Sequence, residues 1–290
     1  MPRSRPARPN GLTIGCWKLL RLGCVLWIGV ATRPAFAEQA PEPTAVAPID
    51  HVGPADDGRS LPPILETHVP QALSRWEKDV TALETAAAER AADPNTILVV
   101  GSSSVRLWAD HIEHDMAPYV VDRRGYGGAS YIDIAVFADR LLRPQPYRAL
   151  VLFAGNDVRG REDDHTPEEV TAAVNHVVGV SRRYQSDAPV LLIEVTPTPK
   201  RSHLLDQTMR INTALREYAL STPHVYFLPT WSHYTWPDGT LNAKYFDDDR
   251  LHQSREGYRM WSRLIRNRLN EVLRCESQFR MRGAAASEVN

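Results

Sequence analysis

The feature that most constrains this chain is the alternation of short apolar runs with longer amphipathic stretches. Five runs rich in Val, Ile and Leu are candidates for β-strands, and the second of them is the weakest. Runs of this length and composition are typical of parallel strands that are buried on both faces. The runs are Thr96–Val100, Tyr119–Val121, Ala149–Phe153, Val190–Val195 and His224–Leu228.

Amphipathic helices are predicted around these runs. The clearest begins at Thr166, an N-cap residue followed by Pro167 and two acidic residues, with Val170 and Val174 at helical spacing. Parallel neighbours need a crossover that covers one face of the sheet, so we predict a three-layer α/β/α sandwich with a five-stranded parallel sheet. We place it in one domain, residues 68–274. Further helices are expected over residues 69–92, 105–115, 131–142, 205–219 and 255–273.

The first 37 residues have the pattern of a removable signal peptide. Six basic residues and no acidic residue accompany an apolar run, Leu22–Thr32, and Ala35-Phe36-Ala37 is a small-residue cleavage site. A membrane anchor is the alternative, but an eleven-residue run spans only about half of a ~30 Å hydrocarbon core. We therefore expect an exported protein, periplasmic or secreted, cleaved after Ala37. Its only cysteine would be Cys275, which excludes an intrachain disulfide.

The remaining composition limits what the chain can bind. Residues 38–67 are rich in Pro and Ala and are expected to form a disordered lead-in, and residues 275–290 a flexible tail. Without residues 1–37, 28 basic residues face 35 acidic ones, a net charge of about −7. Such a surface repels phosphate backbones, so a nucleic-acid partner is not expected.

Polar residues follow the predicted strands at the edge of the sheet where ligands bind. Ser103 follows the first strand and directly precedes a helix, which lifts its hydroxyl clear of the sheet. Taken alone, a serine at such a turn is better explained as a helix cap. The G-x-S-x-G elbow of the α/β-hydrolases does not fit, because Val105 stands where the second glycine is required.

A glycine-rich loop follows the second candidate strand, from Arg124 to Ser130. Glycines allow the backbone to approach a ligand and expose its N–H groups. A phosphate-binding loop is the competing interpretation. The segment has neither G-x-x-x-x-G-K-[ST] nor G-x-G-x-x-G at the start of a helix, so a nucleotide site is not expected.

Two further segments complete the set. Asn156 and Asp157 follow the third strand, and Asp249 lies three residues before His252 near the C-terminus. At this spacing in a turn, a carboxylate can accept the Nδ1–H of the imidazole and leave Nε2 free as a base. A metal site is the alternative for this acidic segment, but the spacing of a calcium loop and a second histidine are missing.

The order and positions of these segments resemble those of the SGNH hydrolases, also called GDSL-type esterases. The resemblance runs from about Trp76 to Leu269. It implies a flavodoxin-like fold and a serine esterase without metal or organic cofactor, acting on a small ester substrate. The matching blocks are Gly101-Ser102-Ser103, Arg124-Gly125-Tyr126-Gly127-Gly128, Asn156-Asp157, and Asp249 with His252.

The resemblance also implies residue roles. Ser103 would be the nucleophile, His252 the base and Asp249 its partner. The oxyanion hole would be formed by the N–H groups of Ser103 and Gly128 and by the Asn156 amide. Two residues of the glycine block are expected to contact the substrate, Arg124 and Tyr126.

Two departures from the family pattern stand beside these roles. Ser102 replaces the acid of the first block, and Gly155 stands directly before Asn156 while Ala154 occupies the family's glycine position. Two hypotheses follow. The first is an exported esterase that removes acetyl or short acyl groups from glycans or lipids, with a thioesterase as a variant. The second is a weakly catalytic or non-catalytic module that binds carbohydrate or envelope material.

Overall fold

A computed structural model of the protein describes residues 57–143 and 145–287. Its centre is a five-stranded sheet in which all neighbouring strands are parallel. This confirms the predicted α/β class. The strands are β1 (Ile97–Gly101), β2 (Val121–Gly125), β3 (Ala149–Phe153), β4 (Val190–Ile193) and β5 (Val225–Leu228).

The strand order is β2-β1-β3-β4-β5. The chain therefore starts inside the sheet, adds β2 on one side of β1 and continues with β3 on the other side. Folds with this flavodoxin-like order bind ligands outside the carboxyl ends of the strands at which the direction reverses. Those strands are β1 and β3. Ser103 follows the end of β1, and Asn156 follows the end of β3.

Helices cover both faces of the sheet. In β1, Ile97 and Val99 belong to one apolar cluster, and Leu98 and Val100 belong to the other. Successive strand side chains point to opposite faces, so each face has its own core. The helices are α1 (Pro63–Glu66), α2 (Val69–Ala88), α3 (Ser103–Leu107), α4 (Ile112–Met116), α5 (Tyr131–Val136), α6 (Ala138–Leu142), α7 (Pro167–Tyr184), α8 (Leu205–Ser221), α9 (Trp231–Tyr234) and α10 (Arg255–Ser287).

The structure differs from the sequence prediction at β2. The predicted run was Tyr119–Val121, but the strand covers Val121–Gly125. It contains Asp122 and Arg124, which are both buried and hydrogen-bonded to each other. Because the two charges compensate one another, this strand is buried without the apolar run by which strands are recognised in a sequence.

Two predicted helices are each divided in the structure. Residues 105–115 belong to α3 and α4, which are separated by a turn. Residues 131–142 form α5 and α6, which are interrupted at Phe137, where φ is −102° and ψ is 9°. The first division leaves α3 as a short helix. Its first residue is Ser103, which therefore lies at the turn after β1.

Both ends of the described chain also differ from the prediction. The predicted signal peptide of residues 1–37 and the predicted lead-in as far as residue 56 lie outside the described residues. Farther on, the predicted lead-in is helical in α1, which buries Leu65 completely. The predicted tail after Cys275 is wrong as far as Ser287, because α10 continues through it.

The continuation of α10 has a clear cause. Glu276 is buried on this helix and accepts a hydrogen bond from the Tyr226 hydroxyl at 2.6 Å. The same carboxylate contacts His224 Nδ1 at 2.9 Å, so two residues at β5 hold the helix against the sheet at the point where the tail was predicted to begin. Within the described ranges, none of the helices is long and apolar enough to cross a membrane.

Candidate active site

Ser103 lies where β1 passes into α3, at the first position of the helix. The turn requires a glycine at Gly101, since an added Cβ there would stand 2.3 Å from the Phe153 carbonyl oxygen of β3. Ser102 forms the N-cap in extended conformation, and its carbonyl accepts the first helical hydrogen bonds. Its replacement of the family's acid therefore leaves the turn intact.

The imidazole of His252 lies beside the Ser103 hydroxyl. Its Nε2 is 2.9 Å from Ser103 Oγ, although the two residues are 149 positions apart in the sequence. Its Nδ1 is 2.5 Å from Asp249 Oδ2. The structure thus brings together the three side chains that the sequence predicts as a catalytic group, in one continuous line of hydrogen bonds.

A tight turn holds Asp249 in place. Its Oδ1 accepts hydrogen bonds from the N–H groups of Leu251 and His252, both at 2.9 Å. Arg250, which lies between Asp249 and Leu251, has a φ of 59°, in the left-handed region that non-glycine residues seldom adopt. Burial alone would raise the pKa of Asp249, but the two backbone N–H groups and the imidazole lower it to about 2. The carboxylate is therefore ionised at neutral pH.

Asn156 reaches the same place from the end of β3. It borders a cavity of about 30 Å³ together with Ser103 and His252. Its Nδ2 donates to the Ala129 carbonyl at 3.1 Å, which uses one of the two amide hydrogens. The remaining lining of this nucleophile cavity is Ser102, Ser104, Phe153, Gly155, Val195, Thr196, Thr198, Arg201, Leu251 and Gln253.

Gly128 lies on the other side of Asn156. The two residues line a larger cleft of about 220 Å³, whose far wall is formed by α2. Gly128 has a φ of 80°, which favours glycine, and an added Cβ would stand 3.4 Å from Arg75 Nη2. The structure therefore groups Gly128 with Asn156, and Asn156 with Ser103.

Trp76 of α2 holds the glycine loop. Its indole N–H donates to the Gly127 carbonyl at 2.8 Å, and the ring is buried. In a trans peptide the C=O and the following N–H point in opposite directions. This hydrogen bond therefore directs the Gly128 N–H away from Trp76. No motif in the sequence marks Trp76 for this role, because indole rings at helical spacing are ordinarily core residues.

Two further residues, Arg201 and Asp157, make contacts at the site that the sequence does not predict. Arg201 donates to Asn156 Oδ1 at 2.8 Å and also to the Gly155 carbonyl. Asp157 is buried, accepts from the Tyr131 N–H at 3.1 Å and contacts His165 Nδ1 at 3.1 Å. In the sequence, Asp157 is marked only by its position directly after Asn156. No sequence feature places Arg201 at the site.

The prediction that Arg124 and Tyr126 contact the substrate is wrong. Arg124 is 2% exposed and donates to Asp122 and to the Leu141 carbonyl, since the β2 strand extends through it. Tyr126 is 1% exposed and packs edge-to-face against Trp76 and Phe137. Both belong to the interior of the domain, and neither lines the nucleophile cavity.

Comparison with known proteins agrees with this arrangement. The model of the GDSL-like lipase/acylhydrolase family matches residues 93–260, which include Ser103, Asn156, Asp249 and His252. This chain belongs to that family. The sequence resemblance to the GDSL-type enzymes is thereby confirmed, and the matched segment begins after α2, so that Trp76 lies outside it.

Individual relatives are more distant. The platelet-activating factor acetylhydrolase IB subunit alpha1 of Pongo abelii is 27% identical over 127 residues, which are 43% of this chain and 53% of that protein. The chain thus matches about half the length of this curated relative.

Solved structures share the fold. A Streptococcus pneumonia protein, proposed to be a platelet activating factor, superposes with a TM-score of 0.59 at 22% identity, over 70% of this chain and 95% of that one. A GDSL-like lipase from Bacteroides thetaiotaomicron VPI-5482 gives a TM-score of 0.55 at 18% identity, over 66% and 97% respectively.

Proposed function

We propose that this protein hydrolyses carboxylic esters through an acyl-enzyme formed on Ser103. The observation that carries the proposal is the line of hydrogen bonds from Asp249 through His252 to the Ser103 hydroxyl. A serine hydroxyl is a weak nucleophile until a base removes its proton, and an imidazole held by a carboxylate is such a base.

The reaction uses these three side chains in turn. Ser103 Oγ attacks the ester carbonyl while its proton passes to His252 Nε2, and Asp249 stabilises the imidazolium. The imidazolium then protonates the leaving alcohol, and an acyl group remains on Ser103. Water, deprotonated by the same imidazole, attacks the acyl-enzyme and releases the carboxylic acid. No step requires a group from outside the chain other than substrate and water.

Negative charge develops on the carbonyl oxygen in both attacks. The proposed donors are the N–H of Ser103, the N–H of Gly128 and the free amide hydrogen of Asn156. The first N–H groups of a helix have no intrahelical partner, which supports the role of Ser103. Losing one such donor costs about 10²–10³ in kcat.

The nucleophile cavity supports a short acyl group. Its volume is about 30 Å³, and one water molecule needs roughly 10–15 Å³ measured in this way. A cavity of this size favours a short acyl group, such as acetyl, over a long one. The curated relative is named an acetylhydrolase, which agrees with this proposal.

The line of hydrogen bonds favours catalysis over the alternative of a binding module. That alternative rested on Ser102 and on the shifted glycine before Asn156. Export remains a second part of the proposal and is supported by the composition of residues 1–37. If it is right, the protein isolated from the periplasm or the medium begins at Glu38.

The test is ester hydrolysis by the purified protein. We expect p-nitrophenyl acetate to be cleaved faster than the butyrate or octanoate. Ser103→Ala should abolish both turnover and labelling by a fluorophosphonate, with an unchanged melting temperature. Ser221→Ala, at the end of α8, is the matched control and should retain both. Full turnover by Ser103→Ala would refute the mechanism, and preference for octanoate would refute the short acyl group.

A further inference from the structure

We propose that Arg201 is a positioning residue that fixes the amide of Asn156 as an oxyanion donor. The inference rests on the proposed function and concerns the same site. Arg201 makes two contacts there, one to Asn156 Oδ1 at 2.8 Å and one to the Gly155 carbonyl oxygen. It therefore holds both the side chain of Asn156 and the backbone directly before it.

The chemistry of the two neighbours decides which way the amide faces. A guanidinium has only donors, so the atom that Arg201 contacts must be the amide oxygen. On the other side, the Ala129 carbonyl only accepts, so the atom that it contacts must be Nδ2. Both neighbours favour the same orientation, and one hydrogen of Nδ2 remains for a substrate oxygen.

The positive charge has a second effect. A hydrogen bond from a charged donor is stronger than one between neutral groups, and hydrogen bonds in a chain polarise one another. The Arg201 guanidinium withdraws electron density from the amide oxygen and makes the Nδ2–H groups better donors. This gain is largest when negative charge develops on the substrate, that is, in the transition state.

Arg201 is itself held by the surrounding backbone. It lies in a 3₁₀ segment, Pro199–Leu204, which it interrupts with a φ of −114° and a ψ of 27°. The preceding residue, Lys200, donates its N–H to the Arg250 carbonyl at 3.0 Å. The segment after β4 thus connects the Asn156 amide to the turn that carries Asp249 and His252.

This arrangement explains how the chain tolerates its departure from the family pattern. Gly155 stands where the family does not require glycine, and Ala154 stands where it does. In this chain the carbonyl of Gly155 accepts a hydrogen bond from the Arg201 guanidinium. The position of the asparagine is therefore fixed by a side chain from another strand connection, in addition to its own loop.

The test compares single and double variants. In Arg201→Met, which keeps the length of the side chain, we expect kcat for p-nitrophenyl acetate to fall about 10- to 100-fold while KM changes less than threefold. Arg201→Lys keeps one charged donor and should recover part of that loss. In Asn156→Ala/Arg201→Met, kcat should match that of Asn156→Ala within about threefold, because the arginine acts through the amide.

Other results would overturn the inference. If the two losses multiply in the double variant, Arg201 acts independently of Asn156. If KM rises in Arg201→Met while kcat is retained, the arginine binds substrate. Arg216→Met, an exposed residue of α8, is the control for loss of one positive charge and should leave both constants unchanged.

The test also separates this inference from the proposed function. Failure of the wild-type protein to cleave any ester would refute the proposed function, and the inference with it. Should Arg201→Met fail to fold, Arg201→Lys and its double variant with Asn156→Ala provide the same comparison. An active wild type whose Arg201→Met variant folds and retains full kcat would refute the inference alone.

Discussion

The two sides of the Ser103 hydroxyl are built in different ways. On the base side, Asp249 and His252 are three residues apart, and hydrogen bonds within one turn fix them. On the side of the proposed oxyanion donors, Gly128 and Asn156 come from two loops, and each loop is held by a distant side chain, Trp76 or Arg201.

The difference shows which parts of such a site tolerate change. The geometry of a local turn is fixed by hydrogen bonds among neighbouring residues, so the sequence spacing is enough to recognise it. A donor held from elsewhere in the fold depends on residues that have no motif of their own. We therefore expect graded losses of activity, steepest on the base side and shallowest at the contacts that only orient a donor.

Among variants on the two sides of the Ser103 hydroxyl, the largest effect is expected for Asp249→Asn, with kcat lowered by about 10³–10⁴ because the amide no longer fixes the Nδ1–H tautomer. The carboxyl has a pKa of about 2, against an ordinary value near 3.9. It is thus ionised throughout the range from about pH 5 to 9, so titration of Asp249 itself does not change the loss within that range. Its contribution to stability is complete above about pH 5 and is lost progressively as the pH falls from there through the folded pKa to about pH 1.

The measurement is kcat for p-nitrophenyl acetate at several pH values, with Asp248→Asn, an exposed neighbour, as the control. A loss below tenfold in Asp249→Asn would contradict the base-side assignment. A loss confined to low pH would show that protonation of another group controls the rate.

An intermediate effect is expected for Asn156→Ala. Removing the amide should lower kcat by about 10²–10³ with little change in KM, because the donor acts on charge that is present only in the transition state. Steady-state kinetics measure the split. Asn95→Ala, in the exposed turn before β1, is the matched control. If KM of Asn156→Ala rises by as large a factor as kcat falls, the amide instead binds the substrate.

The smallest effect is expected for Trp76→Phe, which keeps a buried ring but removes the N–H that holds the Gly127 carbonyl. We expect kcat to fall about 3- to 10-fold, with a loss of about 1–3 kcal/mol in the free energy of unfolding from the unpaired carbonyl. Kinetics and urea denaturation measure the two effects. Trp236→Phe, at a ring that is 52% exposed, should change neither quantity. An unaltered kcat in Trp76→Phe would show that the hydrogen bond to the Gly127 carbonyl does not support catalysis.

The comparison of Arg124 with Arg201 shows where sequence reasoning failed at the site. Arg124 adjoins the glycine block and was expected at the substrate, yet it is buried in β2 beside Asp122. Arg201 adjoins no block and yet contacts Asn156. Proximity in sequence to a motif does not determine which way a side chain points, because alternate residues of a strand face opposite sides.

The fold itself was predictable for a physical reason. Buried parallel strands must be apolar on both faces, and the crossovers between them must be amphipathic, so both leave periodic patterns. The prediction failed where another interaction replaces apolar burial. At β2 an ion pair is buried, and at the C-terminus Glu276 holds α10 to His224 and Tyr226.

The sequence by itself determined the class of fold, the order of the four blocks and the pairing of Asp249 with His252, because each depends on spacing within a short segment. The tertiary structure decided which distant residues support the proposed oxyanion donors. Trp76 contacts Gly127 from 51 positions away, and Arg201 contacts Asn156 from 45 positions away. Contacts over such distances arise only when the sheet brings its connections to one edge, and no local pattern records them.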